Sequence, residues 1–325
     1  MGAVSFVVVG VIALIAFRFE PAPISGPDSV GQFAAIASAV VAVVAFVVGR
    51  YVVRDRPRRF GVLDILDVAA LALAHAIIAL LSWTLLAVIL ERAFIGATVF
   101  AIWITLVTGA AAAVTAYIVF YSATHFDLQL LALVLAVFLV EGVLASMLTA
   151  SDPNWWEENL SALGMTDDLS AFAFNLTLIV AGFIVTILAR YATLGIPTPH
   201  PKGLRRVRVC LIVVGVFLAC VGIFHVDDFF VLHTGVASGM AVAFGVLVIR
   251  LRAWIPGISR SFFWLGILFI AVIVVLGVLF AAGIYTLTAV ELIAGILVFS
   301  WIILFLRNAA ALQADTLAAP PERPA

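Results

Sequence analysis

Residues 128–149 read LQLLALVLAVFLVEGVLASMLT, an apolar run whose single charge is Glu141. About 20 such residues, at about 1.5 Å each in a helix, match the thickness of a bilayer's hydrocarbon core. Strand-period alternation is absent, and a helix satisfies its backbone polar groups internally, so the stretch predicts a membrane-spanning helix. The rest of the chain follows suit. With 66% hydrophobic residues, 11% charged residues and a mean hydropathy of +1.29, 325 residues cannot hide their apolar surface in one soluble core.

The expected fold is an all-α, polytopic transmembrane helix bundle with ten spans, near 3–19, 31–53, 68–90, 96–121, 128–149, 171–194, 208–224, 230–250, 261–284 and 286–306. The first run lacks a basic leader region and a small-residue cleavage site before Arg18, so it reads as a retained anchor. Three modules are expected: a four-span module over 1–126, a core over 127–306 and a disordered cytoplasmic tail over 307–325.

Lys and Arg orient the bundle, because cytoplasmic loops retain positive charge. With both termini cytoplasmic, the inner set is Arg50, Arg54, Arg56, Arg58, Arg59, Arg190, Lys202, Arg205, Arg206, Arg208, Arg250, Arg252, Arg260, Arg307 and Arg323, leaving only Arg18 and Arg92 outside. The outer side then carries Glu20, Asp28, Glu91, Asp152, Glu157, Glu158, Asp167, Asp168, Asp227 and Asp228. An acidic outer surface argues against nucleic acid as a partner, and the inner cations suit anionic lipid head groups. Membrane lipids are the expected partners, with a membrane-protein partner or a second copy of the chain as further candidates. The Ala/Val-rich, Lys-poor composition points to a prokaryote, and the expected location is its plasma (cytoplasmic) membrane.

Cys210 and Cys220 share one predicted helix and stand roughly 15 Å apart along it, out of disulfide range. Paired-cysteine and HExxH metal spacings, a P-loop, a dinucleotide fingerprint and a nucleophile elbow are all missing from the sequence, which argues against a nucleotide-driven pump. Small residues in TGAAAAVTA and in TGVASGMAVAFG, with Gly235 and Gly239 four apart, predict close helix packing.

Polar chemistry concentrates in SDPNWWEENLSALG, residues 151–164. Asp152 before Pro153 and the terminal Gly164 predict a short interfacial helix, with Trp156, Leu160 and Leu163 on one face and Glu157 and Ser161 on the other. Its tryptophans suit the membrane interface. Asp167 and Asp168 would favour the dipole of the sixth span. Glu141 and Glu291 lie within spans, where an ionisable group must be paired, hydrated or neutralised. The turn in VGIFHVDDFFVLHTGVASG brings His225, Asp227, Asp228 and His233 to the same side. His225, Asp228 and His233 could hold a divalent metal such as zinc, or bind a head group instead. His75 reads as a core histidine; His125 and His200 suggest nothing specific.

WWEENLSALG, SAFAFNLTLIVAG and GIFHVDDFFVLHTGVASGMAVAFG together resemble the bacterial membrane family catalogued as domain of unknown function nine hundred and ninety-eight. The resemblance covers about residues 127–306 and rests on Ser161, Leu163, Gly164, Gly222, Phe224, Asp227 and His233; His225 stands where that family often has proline. The layout is more loosely similar to the Frag/DRAM/Sfk membrane proteins, some of which are connected with lipid-anchor remodelling. The resemblance implies that the outer polar cluster is the working surface.

Three functions follow as expectations. The first is binding or remodelling of a lipid or lipid-linked molecule at the outer leaflet, with Glu157 or Glu141 as a general base and Asn159, Ser161, Asn175, Asp227 and Glu291 as ligand-binding groups. The second is a proton-coupled secondary transporter using Glu141, Glu291 and Glu157. The third is a non-catalytic subunit of a cell-envelope assembly, docked through Gly/Ala-rich helix faces.

Overall fold

The computed structural model describes residues 1–53, 61–125, 127–165, 167–193, 196 and 200–318. Arg54, Arg56, Arg58, Arg59 and Arg323 of the expected inner cluster, and part of the loop after the sixth span, lie outside the described residues. The chain divides into two compact units, Met1–Phe126 and Asp127–Ala325. Among the described residues, nine helices are long and apolar enough to cross a membrane.

Unit 1 holds α1 (Gly2–Ala16), α2 (Val30–Val52), α3 (Val62–Ala93) and α4 (Ala101–Thr124). α4 packs on α1 and α2, and α2 packs on α3. Thr108, Gly109, Ala111, Ala112, Thr115 and Ala116 form the buried stripe of α4, as its small-residue run predicts. α1 is shorter than the expected first span, and α4 begins later than expected. The reason for the latter is local: β1 (Ala22–Pro23) and β2 (Thr98–Val99) pair as an antiparallel ribbon, which takes the backbone just before α4 out of helical geometry. His75 is a satisfied core residue. Its Nδ1 lies 2.7 Å from the Leu71 carbonyl and its Nε2 2.8 Å from Ser122 Oγ.

Unit 2 holds α5 (Leu128–Thr149), α6 (Leu169–Ala192), α7 (Pro201–Ile223), α8 (Phe230–Trp254), α9 (Arg260–Ala281) and α10 (Leu287–Ala318). Each helix packs on the next, and α10 returns to α5, so the bundle closes on itself. Polar side chains start several of these helices. Asp127 accepts from Leu130 N (2.7 Å), Asp168 from Ala171 N (2.9 Å) and Ser259 from Phe262 N (3.2 Å). Between α5 and α6, close approach depends on Gly142, where an added Cβ would stand 2.6 Å from Thr177 Cγ2. At the α8–α10 side, Trp301 meets the rings of Phe244, Phe262 and Phe305 at 5.1–5.6 Å.

Several expectations need correction. The predicted helix over 152–164 is two separate 3-10 turns, Trp155–Glu157 and Leu160–Gly164, so the helical face combining Trp156, Leu160 and Leu163 does not form. The basic residues Lys202, Arg205 and Arg206 lie within the first turns of α7 rather than in a loop, because Pro201 starts that helix. α10 continues through Ala318, well into the expected disordered tail; 319–325 lie outside the described residues. Of the glycine pair on α8, only Gly239 meets a neighbour, the Phe217 ring of α7, while Gly235 faces open space.

Candidate functional site

The segment joining α5 to α6 is held by side chains from other elements. Asp152 Oδ1 accepts from Asn154 N (2.8 Å), closing a local turn ahead of the first 3-10 turn. Asn159 is extended, with φ −159° and ψ 164°, and breaks the helical path. The next amide, Leu160 N, donates to Glu291 Oε2 of α10 at 2.6 Å instead of to a helical carbonyl. At the far end, Asn175 Nδ2 of α6 donates to the Gly164 carbonyl (3.0 Å). Irregular backbone near a membrane needs such partners, since apolar surroundings supply none.

Two glycines make room for Asn175. A Cβ at Gly164 would lie 2.5 Å from Asn175 Oδ1, and one at Gly222 would lie 2.6 Å from the Asn175 carbonyl oxygen. Leu163, buried, anchors the second 3-10 turn. Beneath it, Ser146 Oγ of α5 and Ser170 Oγ of α6 are 3.0 Å apart, and Ser170 also donates to the Ser146 carbonyl (2.9 Å).

Ser161, on this turn, meets His233 in the first turn of α8: Oγ and Nε2 are 3.1 Å apart. His233 Nδ1 lies 2.7 Å from the Phe224 carbonyl, at the end of α7. A carbonyl only accepts, so Nδ1 carries the ring proton in this contact. In the neutral ring Nε2 is then the acceptor, and the Ser161 hydroxyl donates to it. The 3-10 turn at Ser161, 72 residues before His233, thus joins the α7–α8 connection in one polar chain.

The Ser122–His75 pair of unit 1 has the same chemistry in a closed setting. There the serine is 6% exposed, whereas Ser161 is only half-buried while its histidine is 7% exposed. A hydroxyl held by a buried imidazole but open to its surroundings can take a ligand atom or pass a proton to Nε2.

The other expected residues fall into three groups. Glu291 and Asn175 serve the connecting segment through the two bonds just described. Asn159 Oδ1 is buried with no hydrogen-bond partner, and Glu157 is exposed on the first 3-10 turn. Glu141 is half-buried on α5. The candidate metal set is divided. His225 gathers with Asp227 and Asp228, their ligand atoms within 4.8 Å of one another, while both ring nitrogens of His233 are turned to Phe224 and Ser161. Sequence reasoning missed the Phe224 carbonyl and the Ser146–Ser170 pair. The latter left a trace, since two hydroxyls sit at the same-side ends of consecutive apolar spans.

No curated protein and no solved structure matches the chain, so the looser likeness to Frag/DRAM/Sfk proteins has no match behind it. The sequence model of one family, described as Protein of unknown function (DUF998), does match, over residues 130–308. That match spans more than half of the sequence and includes Ser161, Asn175, Phe224, His233 and Glu291, so the chain belongs to the DUF998 family of proteins of unknown function.

Proposed function

We propose that this integral membrane protein binds a lipid or lipid-linked molecule at one membrane face and remodels it through Ser161 and His233. The carrying observation is the Ser161–His233–Phe224 chain, which presents a half-buried hydroxyl against a buried imidazole. Apolar groups flank it. Phe230 and Val231, on the same turn of α8 as His233, are 65% and 84% exposed, as suits side chains immersed in lipid. A ligand with apolar chains and a polar head would match both features. The Lys and Arg distribution supports an outer-leaflet position for this end of unit 2, with cytoplasmic termini.

In the transfer step, Ser161 Oγ would attack an ester carbonyl of the bound lipid as its proton passes to Nε2. The ester's C–O bond breaks, the departing alcohol takes that proton, and the acyl group remains on Oγ until water or another alcohol removes it. The Phe224 carbonyl would hold the Nδ1–H through the cycle and favour the transient imidazolium. Asn159, with an unused buried oxygen, and exposed Glu157 are the adjoining candidates for contact with the head group.

The test is lipid analysis by mass spectrometry on the protein purified in mild detergent, beside S161A, H233N and E157Q variants of equal thermal stability. Wild type should retain one lipid class above its share in the source membrane, and S161A and H233N should change its amount or acyl content. Identical lipid complements in all four proteins would sink the proposal.

A further inference from the structure

At the other end of α7, roughly 33 Å along the helix from Phe224, lies a feature unrelated to the Ser161 site. α7 begins at Pro201 and immediately carries Lys202, Arg205 and Arg206, with no acidic residue in its first turn. A helix N-terminus is already the positive end of the macrodipole, so cations there sit at the unfavourable end. The helices packed on α7, namely α6 and α8, carry no acidic residue. The sequence has no Asp or Glu between Asp168 and Asp227, nor between Asp228 and Glu291, a span that covers α6 to α9.

These cations are arranged around a space. Lys202, Arg205 and Arg206, with Val209, Cys210 and Trp254, line an open cavity of about 410 Å³. Its wall is fixed by contact between backbones, since a Cβ on Gly203 would lie 2.8 Å from Trp254 Cα. Arg208 belongs to the frame: its Nε donates to Thr193 Oγ1 (2.6 Å). Trp254 forms the apolar part of that wall. It is 7% exposed, and its indole N–H, which can only donate, has no hydrogen-bond partner. Half-exposed Val209 continues the lining onto the apolar flank of α7.

We propose that this cavity binds the phosphate group of an anionic lipid. Lys202, Arg205 and Arg206 face the phosphate oxygens, the two guanidinium forks supply paired donors, and the Trp254 ring walls the apolar side. The acyl chains run along the Val209 flank. A basic pocket between helices, opening on apolar surface, is the form that anionic head-group sites take in membrane proteins.

The experiment is native mass spectrometry of the full chain in detergent, titrated with dioleoyl phosphatidylglycerol, dioleoyl phosphatidylcholine or inorganic phosphate. Three variants are compared: K202Q/R205Q/R206Q in the cavity, W254F in its wall, and R250Q/R260Q/R307Q, which removes equal charge elsewhere. Wild type should bind phosphatidylglycerol about tenfold more tightly than phosphatidylcholine, and the cavity variant should lose that preference. W254F, which keeps the charge and an aromatic wall, and the control triple should both stay within about twofold of wild type. Equal losses in the cavity and control triples would mean diffuse surface attraction and overturn the site. Wild-type indifference to head-group charge, or inorganic phosphate binding as tightly as the lipid, would overturn the lipid assignment.

Discussion

The Ser161–His233 contact makes a quantitative claim that a double-mutant cycle can check. Ser161→Ala removes the hydroxyl donor and leaves Nε2 of a 7%-exposed histidine unpaired. His233→Asn removes Nε2 but sets an amide N–H near the position of Nδ1, so the bond to the Phe224 carbonyl survives. The bare strength of such a bond, about 4–6 kcal/mol in an apolar medium, is the wrong number, because the unfolded reference also finds partners. Cycles in membrane proteins average about 0.6 kcal/mol and reach about 1.7 kcal/mol. The buried ring argues for the upper part of that range and the half-buried serine for the lower, giving an expected coupling of about 1 kcal/mol. Ser161→Ala alone should cost about 1–2 kcal/mol. Reversible unfolding in mixed micelles of rising dodecyl sulfate fraction, followed by far-ultraviolet circular dichroism, measures all four corners of the cycle. Strict additivity, with a coupling below about 0.3 kcal/mol, would refute the pairing.

The same geometry supports three further expectations. A fluorophosphonate probe should label wild type at Ser161, fail on S161A and react about a hundredfold more slowly with H233N; an unlabelled wild type would remove the transfer step and leave binding alone. Gly142→Ala should destabilise by about 1–3 kcal/mol, because Thr177 cannot swing aside while its hydroxyl donates to the Ala173 carbonyl (2.6 Å). Adding Thr177→Ala should restore much of the lost melting temperature, and no recovery would mean that the α5–α6 contact is not the cause. Zinc titration by calorimetry separates the two histidines: H225A should abolish whatever binding wild type shows at this end, and H233N should leave it unchanged, since the grouped ligands are His225, Asp227 and Asp228.

Helix identity was legible because it rests on a one-dimensional quantity. The length of an apolar run against bilayer thickness locates α5 from 128–149 with no knowledge of its neighbours. Helix ends were less legible, since they depend on local competitors: the β1–β2 ribbon delays α4, and Pro201 advances α7 past the point where hydropathy falls. The connection over 151–164 was the hardest to read. Asp152, Pro153 and Gly164 are sound helix signals, but the outcome turned on Glu291, more than 120 residues away, taking the Leu160 amide at 2.6 Å. No local pattern carries that information. The polar side of the site was visible as a list of residues, while its pairings were not, because Ser161 could have met any of several partners at that end of the bundle.

The pairings change what the list means. A buried or lipid-flanked loop must have its amides and carbonyls met by something, and here Glu291 and Asn175 meet them. Their presence inside apolar helices is therefore accounted for by the loop they support, and a proton-carrying role is not needed to explain them. Ser161 and His233 differ in this respect. Their bond supports no backbone amide of the loop, and the Phe224 carbonyl that fixes the ring belongs to the end of α7. Loop-holding groups on two helices and a presented hydroxyl–imidazole pair between them form a division of labour expected of a site whose geometry must persist when a ligand comes and goes. That division yields a comparison free of any assumption about the ligand: Glu291→Gln should loosen the 151–164 segment, raising its amide hydrogen exchange, whereas S161A should leave that exchange nearly unchanged. If both variants loosened the segment equally, Ser161 would be one more support of the loop, and the site would lose its presented group.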